Sequence, residues 1–218
     1  MGYQVAIDGP AGAGKSTIAK LVAKEKGFIY VDTGAMYRAL AVHFLDQGIQ
    51  AEDTDKIIQA VGQAEVKIRY EEGIQQVYLN GVNVTGRLRE EAVGNMASKS
   101  SAIPEVRAKL LDLQRGLAQE EDVVMDGRDI GTCVLPEADV KVFLTASVET
   151  RARRRYDELQ EKGVPCDLEE IKADIRERDE RDMTRETAPL RQADDAVLID
   201  SSDMTIPEVT AAIAALCK

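Results

Sequence analysis

The spacing of apolar residues changes period several times along the chain, and each change marks an element. Residues 3–8 carry the continuous apolar run Val5-Ala6-Ile7, which reads as a short buried strand. In residues 16–24, Ile18, Ala19, Leu21, Val22 and Ala23 fall at helical spacing, with Gly27 as a stop. Residues 28–32 read as a second strand, and helices follow over 33 to about 46 and over 53–63. The period then drops to two. Val66, Ile68 and Tyr70 alternate with polar residues, as do Val77 and Leu79, then Val82 and Val84. Asn80-Gly81 between two such runs is a strong hairpin signal. This antiparallel piece, about 64–87, interrupts a chain that otherwise alternates strand and helix, so it reads as an insertion.

Helices are expected over 90–101 and 104–119, with Pro104 at the first position of the second. Apolar strands follow at 122–126 and 140–144. Two charged helices, 148–162 and 167–182, flank Gly163-Val164-Pro165. The last strand is 196–200 and the last helix 206–216. Five strands alternating with helices predict an α/β fold, a five-stranded parallel sheet covered on both faces. Ligands then bind at the carboxyl ends of the strands, where Asp8, Asp32, Asp126 and Asp200 fall.

The first strand runs into Gly9-Pro10-Ala11-Gly12-Ala13-Gly14-Lys15-Ser16, followed by Thr17. The spacing is that of a phosphate-binding P-loop, in the required context of strand, loop and helix. Glycines let successive N–H groups turn toward phosphate oxygens, and the helix adds its positive end. Lys15 is placed for the β/γ-phosphates and the Ser16 hydroxyl for Mg²⁺. A nucleoside triphosphate is implied, and its fate is not. A single P-loop NTPase domain, 1–218, is expected.

Net charge is −11, which argues against nucleic acid or an acidic membrane as a partner. No apolar run is long enough to span a bilayer. The first residues lack a signal peptide's basic start and apolar stretch. The 3 cysteines lack metal spacing and read as free thiols of a cytoplasmic protein. With 1 histidine, His43 in an apolar helical run, triads and histidine metal sites are nearly excluded. No feature argues for an oligomer, so a monomer is expected.

Asp126-Gly127-Arg128-Asp129 follows the 122–126 strand. Asp126 there can hold Mg²⁺, Arg128 a phosphate and Asp129 a substrate donor; a tight turn with a surface ion pair is the alternative. Arg178, Arg181, Asp182 and Arg185 would form one helical stripe suited to phosphate. Arg151, Arg153, Arg154 and Arg155 could close over a nucleotide as a lid. Residues 151–191 balance 9 Arg and 2 Lys against 12 Asp and Glu, so spacing alone also fits a solvated face.

These motifs together resemble the bacterial cytidylate kinases, within the nucleoside monophosphate kinases. The resemblance runs nearly end to end. Its carriers are IDGPAGAGKST (7–17), DTGAMYR (32–38), the insertion with its NG turn and following GRLR, DGRDIGT (126–132), and ERDERD..R..APL (177–190). The P-loop is widely shared; the other motifs are far more specific. The resemblance implies transfer of the γ-phosphate of ATP to CMP or dCMP, with Mg²⁺. Gly9 to Thr17 would hold ATP, under a short helical lid containing Arg151, Arg154 and Arg155; the lid and the arginine-rich helix after it would span 148–182. An acceptor region, 33–119, would include the β insertion. Thr33, often Ser in this family, and Arg38 would meet the acceptor nucleotide. Ser98, Arg107 and Asp129 would recognise cytosine and sugar, Arg128 and Arg185 the acceptor phosphate, Arg178 and Asp182 the ribose region. A kinase for UMP, AMP or shikimate is the alternative within the class. A nucleotide-dependent switch is the alternative outside it, although the chain has no guanine-reading N-K-x-D.

Overall fold

The computed structural model describes residues 2–218; Met1, part of the expected 1–218 domain, lies outside the described residues. The order begins β1 (Gln4–Asp8), α1 (Lys15–Lys26), β2 (Ile29–Asp32), α2 (Thr33–Asp46) and α3 (Thr54–Gln63). The insertion is β3 (Val66–Glu71), β4 (Ile74–Leu79) and β5 (Val82–Asn83). Then come α4 (Glu91–Ser100), α5 (Pro104–Glu120), β6 (Val123–Gly127), β7 (Val140–Thr145), α6 (Val148–Glu161), α7 (Leu168–Thr184), β8 (Val197–Asp200) and α8 (Ile206–Ala214).

The main sheet has five strands in the order β2-β6-β1-β7-β8, and every pairing is parallel. Pleating sends alternate side chains to opposite faces, and the two faces build separate cores. Ala6, Val31, Val123 and Met125 pack with Met36, Leu40, Phe44 and Leu110. Val5, Ile7, Val124, Val142 and Leu144 pack with Ile18, Val22 and Ile213. Both faces being covered explains why β1 reads as an unbroken apolar run. Register places Asp32 beside Asp126 and Ile7 beside Asp126, so the strand-end acids converge.

The insertion is an antiparallel three-stranded sheet. Its turns have positive φ at Glu72, Gly73, Asn80 and Gly81, the twist that two-residue hairpins favour. It docks on the free edge of β2. Tyr70 Oη donates to the Tyr30 carbonyl at 3.2 Å. The Gln75 side chain accepts from the Asp32 N–H at 2.9 Å and donates to the Asp32 carbonyl at 3.1 Å. A side-chain amide thus completes the ladder that a sixth strand would have made.

Two features depart from the sequence reading. The helix expected over 167–182 runs to Thr184, and Arg185 adopts an extended conformation beyond it, so the stripe that full helicity would have made stops at Asp182. Residues Ile130–Val134, given no element above, form one wide π-turn. His43 is buried and its Nε2 lies 3.1 Å from the Ala60 carbonyl, a structural contact. Among the described residues no helix is long and apolar enough to cross a membrane.

Candidate active site

At the end of β1 the chain must turn hard under β7. A Cβ on Gly9 would lie 1.9 Å from the Leu144 carbonyl oxygen, so only glycine fits. Gly12 and Gly14 have φ of +77° and +87°, left-handed values that cost most residues energy. Gly14 caps α1 without a side-chain hydrogen bond, which leaves the first N–H groups of α1 facing the loop for an anion. Lys15 is buried, with Nζ 2.8 Å from the Pro10 carbonyl. Burial and then Arg128 lower its pKa, against Asp126, Asp8 and Asp182.

Behind the loop, Ser16 Oγ donates to Asp126 Oδ2 at 2.9 Å. Tyr30 Oη donates to Asp126 Oδ1 at 2.8 Å. Burial, then Asp32, raise the Asp126 pKa, and a cation placed here would act against that shift. A hydroxyl and a carboxylate side by side at a phosphate loop suit Mg²⁺, which takes few protein ligands and completes its shell with phosphate and water. Among the described residues no group of three or more His, Cys, Asp or Glu could hold a metal.

Asp8 is buried. It accepts from the N–H groups of Ile130 and Gly131 at 2.8 and 2.7 Å. These bonds tie the π-turn, and the Arg128-Asp129 segment before it, to the strand that carries the P-loop. Burial pushes the Asp8 pKa up to about 7, against those same hydrogen bonds.

One cavity of about 700 Å³ joins the two groups of motifs. On one wall are Ala11, Gly12, Ala13, Gly14, Lys15, Ser16 and Thr17, with Arg151, Arg154 and Arg155 above them. Facing them are Thr33, Arg38, Ser98, Arg107, Asp126, Arg128, Asp129, Arg178, Asp182 and Arg185. Of the residues singled out in the sequence, Gly9, Pro10, Arg153, Arg181 and the strand-end acids Asp8 and Asp200 do not line it. The arginines are held by few acids. Arg128 Nε pairs with Asp182 Oδ2 at 2.8 Å. Asp129 pairs with Arg107 and, at 3.6 Å, with Arg185. Burial pushes Asp182 up, but Arg128, Arg178 and Arg185 outweigh it and hold its pKa below the ordinary value. Arg178 Nε is buried with no hydrogen-bond partner. Burial, then Arg128, lower its pKa to about 10. A buried cationic donor left open on a cavity wall is what an incoming anion would complete.

Some expected residues are engaged by the protein itself. Arg151 Nε donates to the Ala146 carbonyl at 2.9 Å and Nη1 to the Ala11 carbonyl at 3.0 Å. Its other bonds are bidentate to Asp179, at 3.1 and 2.6 Å. Arg154 Nη2 donates to the Ser201 carbonyl at 2.7 Å, and Arg155 is exposed beside Glu158. Arg181 donates to Ser98 Oγ at 3.1 Å and pairs with Glu177. Thr33 Oγ1 donates to the Asp126 carbonyl at 2.7 Å, and Arg38 lies 3.9 Å from Asp32. Sequence reasoning placed Asp8 at a strand end without giving it a task, and missed Tyr30, Asp179 and the wall at Ser201, Met204 and Thr205. The position of Asp8 directly before Gly9 was an available signal; the others lack one.

A parallel sheet with a P-loop entering α1, and a basic half-site facing that loop across one cavity, defines a P-loop phosphotransferase of the kinase type. The family model described as cytidylate kinase matches residues 5–218. A cytidylate kinase of Caldicellulosiruptor saccharolyticus is 51% identical over 205 residues, covering 94% of this chain and 91% of that one. One of Exiguobacterium sp. is 50% identical over 215 residues, covering 99% and 96%. The chain belongs to the cytidylate kinase family. A crystal structure of an uncharacterized protein from Eubacterium ventriosum, 14% identical, superposes with a TM-score of 0.51 over 98% of this chain and 96% of that one; this likeness concerns the fold alone.

Proposed function

We propose that the protein transfers the γ-phosphate of ATP to CMP or dCMP, giving ADP and CDP or dCDP. The observation that carries this is the single cavity in which the P-loop faces Arg128, Arg178 and Arg185, in a chain that belongs to the cytidylate kinase family over residues 5–218. An oxygen of the acceptor phosphate attacks the γ-phosphorus in line, and ADP leaves as the bond to its β-phosphate oxygen breaks. No covalent enzyme intermediate is needed. Two anions must meet, so catalysis is positioning and charge neutralisation.

Residues 9–17 hold the ATP phosphates, with Lys15 on the transferring group. Arg128 and Arg185 hold the acceptor phosphate and neutralise charge as it develops. Arg178 and Asp182 face the ribose, Thr33 and Arg38 the acceptor, and Ser98, Arg107 and Asp129 the cytosine end. Arg154 and Arg155 act as the rim of a lid that, with the arginine-rich helix after it, spans 148–182, and Arg151 acts through the loop it braces. The acceptor region is 33–119. Ser16 and Asp126 would hold the Mg²⁺ that accompanies ATP, which would supply positive charge to the phosphates. Closure of the lid and acceptor region excludes water that would otherwise hydrolyse ATP. We place the protein in the cytoplasm as a monomer, with no nucleic-acid or membrane partner.

The test is a coupled ADP-release assay with Mg-ATP and, in turn, CMP, dCMP, UMP, AMP, GMP, dTMP and shikimate. Release with CMP and dCMP above the others is expected. Release with another acceptor overturns the cytosine assignment, and release with none overturns phosphotransfer to an acceptor.

A further inference from the structure

Asp126 has two carboxylate oxygens, and each takes one hydroxyl: Oδ2 from Ser16 and Oδ1 from Tyr30. The torsion that turns a carboxylate about its Cβ–Cγ bond is soft. With Ser16 alone the group could rotate; with a second donor on the other oxygen its plane is fixed. Tyr30 lies on β2, the terminal strand of the sheet, where a backbone is least restrained. That edge is closed by the insertion. Tyr70 Oη holds the Tyr30 carbonyl, and Gln75 holds the backbone of Asp32 at both its N–H and its carbonyl. Lys20 Nζ lies 5.4 Å from the centre of the Tyr30 ring, so the ring is also held from the helix that follows the P-loop.

We propose that Tyr30 is a positioning residue that fixes the plane of the Asp126 carboxylate beside Ser16, and that the β insertion, through Tyr70 and Gln75, holds Tyr30 in place. The insertion then serves the metal side of the site as well as the acceptor side. The proposal rests on the phosphotransfer reading above, in which Ser16 and Asp126 attend the Mg²⁺ of ATP. Groups that orient metal-holding carboxylates contribute roughly 10–100-fold to metal affinity.

The experiment is calorimetric titration of ATP into the parent protein and Tyr30→Phe, once with Mg²⁺ and once with EDTA. The gain in ATP affinity due to Mg²⁺ should fall by roughly tenfold in Tyr30→Phe. Affinity in EDTA, and affinity for CMP, should stay at the parent values. Tyr70→Phe keeps the Tyr30 hydroxyl and removes its anchor, so it should lower the same gain by a smaller factor. An unchanged Mg²⁺-linked gain in folded Tyr30→Phe overturns the proposal, as does an equal loss with and without Mg²⁺. If Tyr30→Phe does not fold, Tyr70→Phe and Gln75→Leu decide, and parent-like gain in both overturns it. CMP turnover by the parent reports on the phosphotransfer reading; the metal-linked difference reports on Tyr30.

Discussion

Replacing Arg151 by alanine separates bracing from substrate contact. The side chain joins three segments: the P-loop through the Ala11 carbonyl, the end of β7 through the Ala146 carbonyl, and α7 through Asp179. Arginine and aspartate side chains are 4% and 12% exposed. Truncation would strand a mostly buried carboxylate, which costs about 3–5 kcal/mol. With an unfolding entropy of about 2.1 cal/mol/K per residue over 218 residues, Tm should fall by roughly 7–11 °C. The double variant Arg151→Met with Asp179→Leu removes both charges and should recover much of that. It leaves the Ala146 and Ala11 carbonyls without this donor, a residual of about 1–3 kcal/mol for the buried one. Thermal and urea unfolding followed by circular dichroism measure all three proteins. A drop below about 2 °C in Arg151→Ala, or a double variant no better than the single, would refute the idea that this pair braces the fold.

Other substitutions probe the remaining parts. Lys15→Ala should lower turnover by roughly 10²–10³-fold and Arg185→Ala by roughly 10³-fold or more, with unchanged circular dichroism; near-parent turnover in either removes its assigned role. Asp8 has a folded pKa raised from 3.8 to about 7, so between those values the folded state binds more protons than the unfolded one. Its contribution to stability therefore declines as pH rises through that window and is level above it; Asp8→Asn should lack this slope in urea melts at successive pH values, and an identical slope in both proteins counts against the shift. Gly9→Ala would set a methyl 1.9 Å from the Leu144 carbonyl oxygen, so it should fail to fold or lose ATP binding, and a stable variant that binds ATP normally would show that the loop yields there.

Features written in local spacing were legible in the chain. The run Val5-Ala6-Ile7 told of a strand covered on both faces because each face has its own core. The P-loop was legible because its job is done by backbone, which permits few residues at Gly9, Gly12 and Gly14. The Asn80-Gly81 turn was legible for the same reason, whereas Glu72, with a positive φ, carries no such signal. The conditional stripe reached Arg185, beyond the helix, because helical spacing cannot report where a helix stops. The partners of Arg151 and Tyr30 were out of reach, since Asp179 and Asp126 lie 28 and 96 positions away. Only the sheet register and the packing of α6 on α7 bring them together. The same holds for Gln75, whose amide meets a backbone 43 positions off.

The open Nε of Arg178 has a consequence for how the sequence is free to drift. An enclosed guanidinium with like charges around it and a donor unanswered weakens the empty protein. An apolar residue of similar length there would make a sturdier but disabled fold, in line with the general conflict between stability and activity. Selection acting on robustness alone would erase this arginine. On its proposed role at the acceptor nucleotide, its persistence in a lineage would record the demand for substrate binding, and the stability it forgoes is a reserve that other positions, such as the Arg151–Asp179 pair, have to maintain.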